Sequence, residues 1–212
     1  MRVRLEYSNG PPLGVGRLKY DPAVRTTRGI HVIWTTYGTW LPSDPRKPGH
    51  WSPLFDFYGR MKQAGRRLNM PDAATYRHAR MLIKESPKVL TDGEIETVAE
   101  VIGAHLAPGM PGAMWTICGA VIEPTHVHLL FGRMRDEIGQ VVGRIKSRTS
   151  SVLLKGDRSR SRIWTAGYWK VFLFDGDALH AANQYIEVHN TRRGLPPVPF
   201  DWIKPDALRT AP

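Results

Sequence analysis

The chain has 212 residues, 42% of them hydrophobic, and 30 lysines and arginines against 19 aspartates and glutamates give it a net charge of +11. This length buries one good core with room for an insertion, and so basic a composition favours nucleic acid or an anionic membrane as partner, although simple solubility would also account for the charge. No run approaches the ~18 apolar residues of a membrane span, the start lacks the apolar segment of a secretory signal, and the lone Cys118 excludes an intramolecular disulfide. We therefore expect a soluble cytoplasmic protein.

The N-terminal part of the chain carries one predicted strand between two irregular segments. Residues 1–28 show no sustained period and are interpreted as an arm. Residues 29–40 are rich in β-branched and aromatic side chains, which favours a strand. Five prolines between residues 42 and 71 exclude long regular elements, so residues 41–91 are interpreted as an insertion or long loop, with a short helix over 72–86.

A capped helix and a hairpin are predicted next. Thr91 and Glu94 have capping-box spacing and apolar residues recur at helical intervals, which predicts a helix over 91–106. Strands are predicted over 113–122 and 126–133. Because only three residues separate these strands, the pair should form an antiparallel hairpin.

Three further elements complete the predicted order. A helix over 136–155 has its apolar residues on one face, a strand covers 168–174, a last helix covers 177–190, and a proline-rich tail follows over 196–212. The order β-α-β-β-α-β-α begins with the ferredoxin-like split βαβ pattern, an α+β fold with a four-stranded antiparallel sheet and two helices on one face. We place one domain over residues 29–195, ending with a C-terminal helix. This fold hosts many functions and decides none of them.

A histidine pair is the sharpest chemical signal in the sequence. His126 and His128 are two apart on a predicted strand, so both imidazoles should stand on one side while Val127 and Leu129 face the core. Two neighbouring imidazoles make half of a metal site. An isolated pair of this kind is as often an ordinary polar strand face, so the pair needs support from elsewhere. The other histidines, His31 among them, have no comparable partner spacing and are interpreted as structural.

The last predicted helix supplies that support. Tyr185 and His189 are four apart and lie on one helical face, with Ala182 and Ile186 predicted to face the core. A tyrosine hydroxyl has a pKa of roughly 10, so it becomes a good nucleophile only when a metal or base activates it. Without the histidine pair, Tyr185 would be interpreted as a tyrosine that packs against the sheet.

The ordered set of motifs resembles the single-tyrosine HUH transposases of the IS200-like type, and within them the REP-associated tyrosine transposases. The resemblance covers roughly residues 29–195, and the combination is far more specific than any one motif. The matching residues are Thr36-Tyr37-Gly38-Thr39-Trp40-Leu41-Pro42 with Asp44 and Arg46, Pro124 before His126-Val-His128-Leu-Leu, Lys146-Ser147, Trp164 with Gly167-Tyr168, Tyr185-Ile186, and Gly194-Leu195.

The resemblance implies a metal site and a nucleophile. His126 and His128 would ligate a divalent metal, Mg²⁺ or Mn²⁺, and Tyr185 would form a 5′-phosphotyrosine link. The family usually has glutamine or asparagine four residues after the tyrosine as third ligand, where this chain has His189. Either His189 keeps the role, or Asn190 takes it through a shifted helix, or the site has decayed. We favour His189, and three imidazoles would tilt preference toward Mn²⁺ or another transition metal.

A basic surface is predicted on the second long helix and the loop after it. Polar donors interleaved with cations suit a phosphate backbone, although any one of these residues alone would be interpreted as part of a solvated face. The predicted DNA-binding residues are Arg144, Lys146, Ser147, Arg148, Ser151, Lys155, Arg158, Arg160 and Arg162. The insertion carries a second basic run over residues 60–67. Trp164, Tyr168 and Trp169 are equally compatible with stacking on unpaired bases and with burial in a strand.

The sequence therefore predicts a metal-dependent enzyme that nicks and transfers strands of single-stranded or hairpin DNA, and that is nucleoid-associated through this binding. One alternative is a domesticated hairpin-binding protein with weak or no catalysis, which the replacement of an amide by His189 keeps open. Another is a hydrolytic phosphodiesterase, which the absence of a further histidine motif disfavours. The sequence leaves open whether the protein is a homodimer, and whether Tyr185 acts in its own subunit.

Overall fold

The computed structural model describes residues 27–41 and 73–208. In chain order the elements are β1 (Gly29–Thr35), α1 (Ala73–Met81), α2 (Asp92–Leu106), β2 (Ile117–Ile122), β3 (His126–Phe131), α3 (Ile138–Gly156), β4 (Trp169–Leu173), α4 (Gly176–Arg192) and a 3-10 turn (Pro205–Leu208). The predicted N-terminal arm, most of the 41–91 insertion and the basic run over 60–67 lie outside the described residues. None of the helices in the described part has the length and apolarity needed to cross a bilayer.

The four strands form one antiparallel sheet in the order β2-β3-β1-β4. With α2 between β1 and β2, and α3 between β3 and β4, this order is that of the split βαβ pattern. The predicted α+β fold is confirmed. The two central strands are β3 and β1, and His128 of β3 lies opposite Ile33 of β1. The histidine pair is therefore carried by a central strand, not by an exposed edge.

The two helices α2 and α3 pack on one face of the sheet. Their apolar stripes meet the strand residues that alternate with the histidines, among them Val127 and Leu129, which have no exposed surface. Thr91 caps α2 through the predicted capping box, in which its side chain accepts from the backbone of Glu94 and the Glu94 carboxylate accepts from Thr91. This face supplies the larger part of the core.

Helix α4 packs on the opposite face of the sheet, where Ala207 of the 3-10 turn contacts the same cluster. It packs on β2, β3 and β4, and its buried side chains include Ala182 and Ile186, as its helical spacing predicts. The approach of α4 to the sheet is close at Gly29, where an added Cβ would lie 2.5 Å from Leu179 Cδ1 and 2.8 Å from the Phe131 carbonyl oxygen. Because odd-numbered residues of β1 and even-numbered residues of β3 face α4, the helix covers the histidine side of the sheet.

The observed elements are shorter than predicted where backbone hydrogen bonds leave the ladder. Residues 113–116, predicted as strand, form turns in which Ala113 N–H donates to Met110 and Trp115 N–H donates to Gly112. Helix α1 ends at Met81, and the chain then continues without regular structure past Pro87, with Leu90 N–H donating to the Pro124 carbonyl. Local turn hydrogen bonds therefore delay the start of β2, whereas a tertiary hydrogen bond holds the segment after α1.

Candidate metal and nucleophile site

The histidine pair stands on β3 with both rings turned toward α4. His126 and His128 are buried, and their ring centroids are 4.9 Å apart. They share this face with Leu130, which packs against α4, while Val127 and Leu129 point to the opposite core. The alternation of the strand thus places two imidazoles beneath a helix.

Helix α4 brings a tyrosine and a third imidazole to the pair. The Tyr185 ring centroid lies 4.6 Å from that of His189 and 5.5 Å from that of His128. The His189 ring lies 5.9 Å from His126 and 5.3 Å from His128. Three imidazoles and one phenol, all from a single chain, therefore surround one point between β3 and α4.

Each imidazole has its Nδ1 atom held by a different partner. His128 Nδ1 shares a hydrogen bond of 3.1 Å with His31 Nε2, and His126 Nδ1 shares one of 3.1 Å with the Thr125 hydroxyl. His189 Nδ1 is hydrogen-bonded to the Glu123 carboxylate. From the sequence, His31 was expected to be structural and Glu123 had no predicted role, because neither residue lies near its imidazole partner along the chain.

The cluster fits a divalent metal ion. Glu123, His126 and His189 each place one candidate ligand atom within 4.8 Å of the other two. His128 is not part of this group, and its Nδ1 is hydrogen-bonded to His31 on β1. However, the Nε2 atoms of His128 and His189 are buried and have no hydrogen-bond partner among residues 27–41 and 73–208. Buried nitrogens without partners are costly unless something else binds them, which favours an ion at this point.

Burial keeps two of the imidazoles neutral. It lowers the pKa of His31 to about 3, helped by the nearby His189, and it lowers the pKa of His128 well below its usual value, helped by His126, His31 and His189. For Glu123, burial alone would raise the carboxyl pKa, but the hydrogen bond from His189 and the charges of His126, His189 and Arg193 outweigh burial and lower it. Neutral imidazoles beside an ionised carboxylate are the forms that ligate metal ions.

Asn190 points away from the cluster. Its side chain is fully buried, and the amide nitrogen donates to the carbonyl oxygens of Ala120, at 3.0 Å, and Pro197, at 2.9 Å. These bonds tie the end of α4 to β2 and to the segment that follows the helix. The geometry thus brings His189, and not Asn190, to the histidine pair.

The Thr36–Leu41 motif forms a wall beside His126. The Trp40 ring lies 5.5 Å from the His126 ring, and the Thr36 hydroxyl donates to the Thr125 carbonyl oxygen at 3.2 Å. Gly38 allows the tight turn, because it has a positive φ of 72° with Pro87 packed against it. The motif therefore belongs to the site.

The residues predicted to bind DNA fall into two groups. Seven are exposed, namely Arg144, Ser147, Arg148, Ser151, Lys155, Arg158 and Arg162. The other two are engaged within the protein. The Lys146 ammonium donates to the carbonyl oxygens of Thr165 and Gly167, and Arg160 donates to the Ser86 carbonyl and pairs with Asp157 at 3.6 Å.

The aromatic residues near β4 differ in how far they are buried. Trp164 is buried in the core and its indole N–H donates to the Thr149 hydroxyl at 2.9 Å, so stacking of this residue on bases is excluded in this structure. Tyr168 is partly buried against the same core. Trp169 is 39% exposed and remains available at the surface.

Comparison with known proteins identifies the family. The family described as Transposase IS200 like matches residues 74–189, which is more than half of the chain. The chain therefore belongs to the IS200-like transposases. A solved structure of a REP-associated tyrosine transposase bound to a REP hairpin is similar at 13% identity and a TM-score of 0.36, covering 86% of this chain and 75% of that one. No curated protein matches the chain significantly.

Proposed function

We propose that the protein is a metal-dependent single-strand DNA endonuclease and strand transferase that works through a 5′-phosphotyrosine intermediate. One observation carries this proposal, namely that the Tyr185 ring lies 4.6 Å from His189 and 5.5 Å from His128. A nucleophile and a set of metal ligands then meet where α4 packs on β3. The domain that carries out this reaction is proposed to span residues 29–195.

Different residues of the site have different roles in the proposed reaction. His126, His128 and His189 would hold the ion, which when bound supplies positive charge to orient and polarise the scissile phosphate. The Tyr185 oxygen attacks phosphorus and loses its proton, the bond from phosphorus to the 3′ oxygen breaks, and that oxygen takes up a proton to leave as a 3′-hydroxyl. A 3′-hydroxyl later attacks the phosphotyrosine, which restores the phenol and joins the strands. No net hydrolysis or ATP is required.

The donor set favours Mn²⁺ over Mg²⁺. Mg²⁺ prefers oxygen ligands and keeps several waters, whereas neutral imidazoles suit the later divalent metals. Three histidines with one nearby carboxylate are richer in nitrogen than a magnesium site. Mn²⁺ is the metal we expect to support most activity.

The proposed substrate is single-stranded or hairpin DNA. The chain has a net charge of +11, and the exposed residues of α3 and the loop after it include Arg144, Arg148 and Lys155. Such a surface suits a phosphate backbone, and Trp169 offers one exposed ring for stacking. Because the ligands and Tyr185 come from one chain, we propose that the tyrosine acts within its own subunit.

A covalent-adduct assay tests the proposal. The protein would be incubated with Mn²⁺ or Mg²⁺ and labelled hairpins taken from the flanks of its own gene, then resolved on denaturing gels. We expect label to stay on the wild-type protein only when metal is present. Tyr185→Phe and His126→Ala should abolish the adduct, while Tyr168→Phe, a tyrosine on the other side of the sheet, should keep it.

The alternative function is hairpin binding without catalysis. The exposed cations of α3 serve such a protein equally well, and His189 in place of an amide is compatible with an altered site. Tight hairpin binding with no adduct under either metal would establish this alternative and overturn the transferase. Free DNA ends without an adduct would instead indicate a hydrolase.

A further inference from the structure

We propose that Glu123 is a positioning residue, whose carboxylate fixes His189 so that its Nε2 atom joins those of His126 and His128 at one ion. This inference rests on the proposed metal site. It gives a role to a carboxylate that belongs neither to the histidine pair nor to the tyrosine helix. It also explains how an imidazole can occupy the position of the third ligand.

The two ring nitrogens of His189 are in different environments. Its Nδ1 is hydrogen-bonded to Glu123 Oε1, and its Nε2 is buried with no partner in the described part of the chain. An ionised carboxylate can only accept, so His189 must carry its proton on Nδ1. Nε2 is then left with its lone pair, which is the form that binds a metal.

At the other two imidazoles the Nδ1 atom also has a hydrogen-bond partner. His126 Nδ1 is held by Thr125 and His128 Nδ1 by His31, so the Nδ1 atoms of all three imidazoles are engaged. The Nε2 atoms of His128 and His189 are buried with no hydrogen-bond partner in the described part of the chain, and the His126 Nε2 faces the Glu123 carboxylate. A partner on the far nitrogen sets the orientation and basicity of a metal-binding histidine, and a carboxylate is the strongest such partner.

Glu123 is itself held in place. It lies in the β2–β3 hairpin, where its backbone N–H donates to the His126 carbonyl oxygen at 2.8 Å. Arg193 donates to the adjacent Ile122 carbonyl oxygen, which brings a cation beside the carboxylate. The second oxygen of Glu123 lies 3.6 Å from His126 Nε2, so one side chain faces two of the three rings. A fixed carboxylate between β3 and α4 can orient His189.

The experiment measures metal binding and ring tautomers rather than activity. Mn²⁺ affinity would be measured by calorimetry for the wild type, Glu123→Ala, Glu123→Gln and the control Glu96→Ala, which removes an exposed acid of α2. We expect Glu123→Ala to weaken Mn²⁺ binding about 10- to 100-fold. Glu123→Gln should lie between, since its amide can accept from Nδ1 without the charge, and Glu96→Ala should bind as the wild type does.

Imidazole ¹⁵N spectra supply the second readout. Without metal, wild-type His189, assigned by the loss of its signal in His189→Gln, should show the Nδ1–H tautomer. With Zn²⁺ its Nε2 should shift. Glu123→Ala should mix the two tautomers while its circular dichroism stays that of the wild type. Unchanged affinity and tautomer in Glu123→Ala, or metal on Nδ1 of His189, would overturn the positioning role.

The two proposals can fail separately. A wild type that binds Mn²⁺ in a Glu123-dependent manner but forms no DNA adduct supports the positioning role and overturns the transferase. Adduct formation, together with an Mn²⁺ affinity that Glu123→Ala leaves unchanged, supports the transferase and overturns the positioning role. A wild type that binds no divalent ion overturns both.

Discussion

The three imidazoles of the site differ in what holds them, and this difference assigns roles to neighbouring residues. His128 is held by a neutral imidazole, His126 by a hydroxyl and His189 by a carboxylate. On α4, His189 faces the cluster, whereas Asn190, the next residue, bonds two carbonyl oxygens in the interior. We therefore propose different purposes for the two candidate third ligands, metal binding for His189 and packing for Asn190.

Paired substitutions should separate these purposes. His189→Gln should weaken Mn²⁺ binding and raise the preference for Mg²⁺, because an amide oxygen is a harder donor, with little change in the free energy of unfolding. Asn190→Leu should lower that free energy by about 1–3 kcal/mol per carbonyl left without a partner. Calorimetry and urea denaturation measure the two effects. Stronger loss of metal binding in Asn190→Leu would reverse the assignment.

Lys146 provides a prediction about pH. Burial lowers its pKa from 10.5 to about 8 in the folded protein, so the unfolded chain binds more protons between those pH values. The contribution of Lys146 to the free energy of unfolding should therefore rise as pH increases from about 8 to 10.5. Urea denaturation of the wild type minus that of Lys146→Met should show this rise.

At the scale of elements, the site depends on how closely α4 approaches the sheet. Gly29 allows this approach at the start of β1, where a methyl group would meet the Leu179 side chain and the Phe131 carbonyl oxygen. The helix carries Tyr185 and His189 together, so any displacement would move the proposed nucleophile and the proposed ligand at once. Packing on this face should thus affect the proposed reaction directly.

Gly29→Ala should test this dependence. We expect it to lower the free energy of unfolding by about 1–3 kcal/mol, since the added methyl group meets backbone as well as side chain. Gly143→Ala is the matched control, because an added Cβ there meets nothing within 4 Å on an exposed helix position. It should leave stability unchanged or raise it by about 0.5–1 kcal/mol. Equal stability of the two variants would contradict the close packing of α4.

The elements also show which parts of the fold a sequence can predict. The capping box at Thr91 and the alternation around His126 and His128 are local patterns, and the structure has both. The pairs His31–His128 and Glu123–His189 join residues far apart in the chain, so no local sequence pattern predicts them. The same holds for Lys146, which was predicted to bind DNA but donates to loop carbonyl oxygens, and for Trp164, whose burial against Thr149 the sequence left open.

For the whole molecule, charge should decide how the protein contacts the proposed DNA substrate. The net charge is +11, but the described cations are not equivalent, because Arg160 and Lys146 are engaged internally while Arg144 and Arg148 are exposed on α3. Only exposed cations can neutralise phosphates and release counterions. The salt dependence of binding should therefore identify which cations bind DNA.

The salt slope of hairpin binding measures this distinction. Replacing both Arg144 and Arg148 with alanine should reduce the slope of log K against log salt by about 1.5, because each phosphate that is no longer neutralised lowers it by roughly 0.7 to 0.9. Arg160→Ala should leave the slope unchanged and lower stability instead. Fluorescence anisotropy between about 50 and 200 mM salt would measure the slope. If the slope stays the same when Arg144 and Arg148 are replaced, the DNA binds to another surface.

The position of α4 has a consequence for stability as well as for chemistry. In the proposed site, an ion held by residues of both β3 and α4 would be a reversible cross-link between two distant parts of the chain, and its binding to the folded state alone would add its free energy to folding. The helices α2 and α3 have their own core on the other face and do not share this link. Chelation should therefore loosen α4 first, so the nucleophile would be well anchored only in a protein that already carries its ion.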